Sequence, residues 1–86
     1  MLRLKPGVEW QQVDDEVVVL DLGTSVYLGV NDSGAVLWPL VASGSTQIRL
    51  IDALASRFGI DDERARVDVK AFVDRLRSLS LVVEET

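Results

Sequence analysis

The residues able to do chemistry are few, and they narrow the choices at once. The 86-residue chain has no histidine and no cysteine. The commonest acid–base catalyst, the commonest metal ligand and the thiolate nucleophile are therefore missing. An enzyme made from this chain would need carboxylates or a lysine, and its only lysines are Lys5 and Lys70. The densest acidic run, Asp14-Asp15-Glu16, lacks the alternation and glycine of a calcium loop and reads as a hairpin turn. No carboxylate pair is expected to be buried. The residues point away from catalysis, cofactors and metals, and toward binding.

Two segments offer a binding surface. Ser25-Val26-Tyr27-Leu28-Gly29-Val30 reads as the last strand of a short meander, whose edge is open to another extended chain. Alternation puts Val26, Leu28 and Val30 on one face, toward the helices, and Ser25, Tyr27 and Gly29 on the other. The second segment is a helix over residues 62–79. At about 100° per residue, Ala65, Val69, Phe72, Leu76 and Leu79 form its apolar core stripe. One flank of that stripe carries Asp68 and Arg75. The other carries Arg66, Lys70, Val73 and Arg77, read here as basic groups around an exposed valine. If this second flank faces the strand, a groove forms with backbone pairing on one wall and apolar, positive groups on the other.

The remaining elements must position those two. Met1 to Gly7 reads as a lead-in ending in a Pro6-Gly7 turn. Val8–Val13 and Glu16–Leu22 read as the first and second strands, joined at Asp14-Asp15. Gly23-Thr24 makes the next turn. Asn31, Asp32 and Ser33 are N-cap residues for a first helix bearing Val36, Leu37, Leu40 and Val41. Pro39 lies inside that helix and predicts a kink or an early end. Ala42–Ser45 reads as a loop. Thr46 caps a second helix with Ile48, Ile51, Leu54, Ala55 and Phe58 on its apolar face, and Gly59 ends it. Leu81-Val82-Val83 is a short strand or a packed tail. The fold class expected is α+β, winged helix-turn-helix-like, with an N-terminal three-stranded antiparallel meander before three helices.

Composition agrees with a binding domain. Hydrophobic residues make up 48% and charged residues 27%, as in a globular chain. The net charge of −5 disfavours general binding to phosphate backbones. No Lys or Arg lies between Lys5 and Arg49, so the sheet and first helix are acidic. No signal peptide or membrane-length apolar run is visible, so a cytoplasmic protein is expected.

Motif order carries a resemblance. Val30-Asn31-Asp32-Ser33-Gly34 stands where the PqqD-like family has its "Leu-Asn-Glu-Thr-Gly" segment. Asp68-Val69-Lys70-Ala71-Phe72 stands where that family has "Asp-Val-x-x-Phe". With the meander, Trp38 and Gly59-Ile60-Asp61 between and around them, the chain resembles these peptide-recognition elements of ribosomal peptide pathways from about Val8 to Val83. A free-standing chain of this size is most similar to the recognition proteins of lasso-peptide clusters. The resemblance implies one non-catalytic domain over residues 1–86, with no cofactor. It implies that a precursor's leader peptide docks as an added strand on Val26, Tyr27, Leu28, Gly29 and Val30. The helix wall carried over is Arg66, Lys70, Val73 and Arg77, with Val69 at its floor. Implied partners are the leader peptide, a transglutaminase-like cysteine peptidase that removes it and, further off, an asparagine-synthetase-like cyclase. Neither nucleic acid nor membrane is among them.

Alternatives stay open at some positions. Tyr27 is equally a groove residue or an outer-face strand residue. Asp68 is a ligand contact or a partner of Arg64 or Arg75. Trp10 and Trp38 read as core or half-buried anchors. The competing function is a winged-helix DNA-binding regulator, which the topology allows and the charge balance opposes.

Overall fold

The computed structural model describes residues 1–30 and 32–84. The element order is β1 (Leu2–Leu4), β2 (Val8–Val13), β3 (Glu16–Asp21), β4 (Val26–Val30), α1 (Ser33–Ser43), α2 (Gln47–Phe58), α3 (Asp62–Ser78) and β5 (Val82–Glu84). The expected α+β architecture is present. β2, β3 and β4 form the antiparallel meander in that order. The register pairs Trp10 with Val19 and Val19 with Leu28, and Gln11 with Val18 and Val18 with Gly29.

Alternation sets the sheet's two faces. Val17, Val19, Leu28 and Val30 are buried toward the helices, where they meet Leu37, Trp38 and Val41 of α1. Removing each such aliphatic side chain from water contributes about 1.5–3 kcal/mol. Trp38 is fully buried, and the half-exposed Trp10 meets it edge to face. Among the described residues, no helix covers the opposite face of the sheet.

Several expectations are corrected. Residues 1–7 are more than a lead-in: β1 pairs with β5, Leu2 bridges to Ser45, and Leu2 is in the core. That pairing is non-local and leaves no periodic signal in so short a strand. Ser25 belongs to the turn before β4, with φ +61°. The first helix continues past Pro39 to Ser43, because burying Leu37, Trp38 and Val41 outweighs one missing helix hydrogen bond. On α2, Ile51 and Leu54 are buried as expected, but Ile48 and Phe58 are exposed and Leu50 takes a core position. The proposed cap Asn31 lies outside the described residues.

Other signals are read correctly. Thr46 Oγ1 accepts from the Arg49 N–H at 3.3 Å, and Gly59 ends α2 at φ +64°. Asp61 Oδ1 accepts from the Arg64 N–H at 2.7 Å, with Asp62 and Glu63 in the first turn of α3 and Arg75 and Arg77 in the last. These charges complement the helix dipole.

Candidate functional site

β4 is an edge strand. One side pairs with β3, and among the described residues no strand pairs with the other. Alternate N–H and C=O groups of an edge strand point outward and stay available to an added chain. Beside the C-terminal half of β4 lies a groove of about 380 Å³. Gly29, Val30, Ser33 and Gly34 line one wall, and Asp68, Ala71, Phe72 and Arg75 of α3 line the other.

Glycine at position 34 permits that close approach. A Cβ there would stand 3.3 Å from Val30 Cβ and 3.5 Å from Phe72 Cε1. The start of α1 can therefore sit against both β4 and α3. Phe72 is half-buried and supplies an apolar surface. Arg75 is exposed and has no ion-pair partner among the described residues. Asp68 lies 3.7 Å from Arg64 Nε, the structural pairing weighed for it above. An extended peptide would thus meet backbone groups, an aromatic surface and a free guanidinium.

The exposure expected of Val73 on the helix wall is corrected. Val73 is not exposed; it is 1% accessible, as is Val69, and both belong to the core. Arg66, Lys70, Val73 and Arg77 share a different groove with Gln47 and Ile51 of α2. Of the strand residues expected at the site, Gly29 and Val30 share a groove with the flank of Asp68 and Arg75, not with the basic flank, and Val26, Tyr27 and Leu28 do not line that groove. Apolar residues of α3 wrap from Phe72 round to Val73, and periodicity cannot say which margin α2 covers. α2 takes the Val73 side, which leaves Phe72 toward β4. The sequence expects Phe72 in the core stripe and gives Ala71 no groove role, so neither is legible there as a groove residue. Their adjacency to Asp68 and Arg75 on the helical wheel was the available signal.

The basic flank is also largely neutralised. Lys70 Nζ donates to Asp74 Oδ2 at 2.7 Å and holds that carboxyl below the usual carboxylate range. Arg77 Nη2 donates to both carboxylate oxygens of Glu84 at 2.8 Å. Phosphates would have to displace these carboxylates, which weighs against the DNA-binding alternative. Tyr27 is 69% exposed and lies on the sheet's outer face. Asp14, at φ +56°, makes the hairpin turn expected of the acidic run, and no metal-binding cluster is found among the described residues. No helix among them is long and apolar enough to cross a membrane.

Comparison with known proteins follows the same lines. A family model described as coenzyme PQQ synthesis protein D (PqqD) matches residues 16–82. A solved structure of TbiB1 in complex with the TbiA(β) leader peptide is similar at TM-score 0.89 and 26% identity, over 98% of each chain. A lasso peptide synthetase B1 complexed with its leader peptide is similar in fold, at TM-score 0.84 and 24% identity, over 96% of this chain and 98% of that one. No curated protein sequence matches.

Proposed function

This chain belongs to the PqqD family, and from that premise we propose that it is a non-catalytic, cytoplasmic recognition protein for the leader of a ribosomal precursor peptide, of the lasso class. The observation that carries this reading is the open edge of β4 beside the Phe72 groove. Its support is the likeness to TbiB1, which is complexed with a leader peptide.

The leader adds a strand to Val26–Val30. Main-chain hydrogen bonds give affinity, and alternate side chains entering the groove give register. Phe72 and Ala71 receive an apolar side chain, and Arg75 pairs with an acidic one. Holding the leader raises the precursor's effective concentration at the enzymes that act on it. Those enzymes are a transglutaminase-like cysteine peptidase and an asparagine-synthetase-like cyclase.

The test is a fluorescence-anisotropy titration with the leader of the precursor encoded beside the gene. Micromolar or tighter binding is expected. Absence of binding to any neighbouring leader overturns the reading.

A further inference from the structure

One carboxylate stands over the strand that the leader extends. Gly29 lies across from Val18, and Glu16 is the next outer-face residue of β3. A Cβ at position 29 would stand 2.8 Å from Glu16 Oε1 and 3.7 Å from Glu16 Cδ. The Glu16 side chain thus crosses from β3 and fills the space that a larger residue at position 29 would take. It is exposed, and it has no ion-pair partner among the described residues. No Lys or Arg occurs from residue 6 to residue 48, so the sheet itself supplies no counter-charge. Asp14, Asp15 and Asp32 line the hollow beside Glu16, which makes the field at this end of β4 negative.

Cross-strand neighbours share a face of the sheet, with Cβ atoms about 5 Å apart. The leader residue paired with Gly29 therefore projects outward beside the Glu16 carboxylate, and no side chain at position 29 stands between them. Its neighbours along the leader point the other way, toward the groove of Phe72 and Arg75. The two sides of the β4 edge thus offer opposite charges. A slip of one residue would carry every leader side chain to the wrong side. We propose that Glu16 is a specificity-determining residue, which selects a lysine or arginine of the leader at the position across from Gly29 and so fixes the leader's register. This rests on the leader-binding reading above.

The test is a substitution scan of the fluorescein-labelled leader of the precursor encoded beside the gene. Each residue of its strand segment is replaced in turn by Lys and by Glu. Affinities are measured by anisotropy for the wild type, Glu16→Gln and Glu16→Lys, with circular dichroism to verify that both variants fold. At one leader position the wild type should prefer Lys over Glu about fivefold, as for an exposed ion pair. That preference should fall below about twofold in Glu16→Gln, reverse in Glu16→Lys and shrink with added salt. Positions one residue to either side should not respond to Glu16. A Lys preference that survives Glu16→Gln, or coupling to Glu16 that is absent or equal at all positions, overturns the proposal. Wild-type protein that binds no leader of the set would instead mark failure of the recognition reading itself.

Discussion

Lys5 Nζ lies 2.6 Å from Oδ2 of Asp21, a carboxylate buried at the end of β3. The pair ties the segment after β1 to the sheet. Asp21 also accepts from the Gly23 N–H and the Thr24 hydroxyl, both at 2.9 Å. The Lys5 hydrogen bond, against the opposing effect of burial and with help from Thr24 and Gly23, holds its pKa at about 2, below the ordinary 3.8.

A lowered carboxylate pKa stabilises the fold above the unfolded value and ceases to do so as pH falls through the folded one. The contribution of Asp21 is therefore complete above about pH 4 and lost between about pH 4 and 2. Urea denaturation at pH 6, 4 and 2.5 checks this. Asp21→Asn should be less stable than wild type at pH 6 and should show a smaller fall at pH 2.5. Equal pH dependence in both proteins would show that Asp21 is not the linked group.

Trp10 and Trp38 meet edge to face with ring centroids 6.4 Å apart at 69°. Trp38 is fully enclosed, so Trp38→Ala should cost about 3–5 kcal/mol through lost burial and the cavity left behind. Trp10→Ala should cost less, because its ring is 38% exposed before the change. Circular dichroism during urea denaturation separates the two.

The groove assignment makes opposite demands on the two flanks of α3. Ala71→Glu puts a bulky charge into the groove at an exposed helix position, and should weaken leader binding about tenfold while leaving the fold intact. Arg66→Ala, on the flank facing α2, should change leader affinity by less than about twofold. The reverse ranking by anisotropy would move the site to the α2 side.

Val73→Glu would first suggest itself as a groove disruption, if Val73 were exposed. Its burial makes the change a folding defect, since a charge is placed in the core without a partner. Loss of helical signal and leader binding together is expected. Val73→Ala should cost about 2 kcal/mol in stability, yet bind leader normally once folded.

Local signals determined much of this protein. Alternation in Val26–Val30, the caps at Thr46 and Asp61, the terminator Gly59 and the absence of histidine and cysteine are all properties of neighbouring residues or of composition. They were enough for the order of the three meander strands and the three helices, for the inner face of β4, and for the expectation of a binding surface. Tertiary structure alone decided which margin of α3 meets β4. Phe72 and Val73 are consecutive, and both fit the edge of one apolar stripe. Only the position of α2 buries Val73 and leaves Phe72, Ala71 and Arg75 along the groove. The β1–β5 pairing and the Lys5–Asp21 contact were likewise invisible in the sequence. Both join segments far apart in the chain, and periodicity records only what a residue shares with its neighbours.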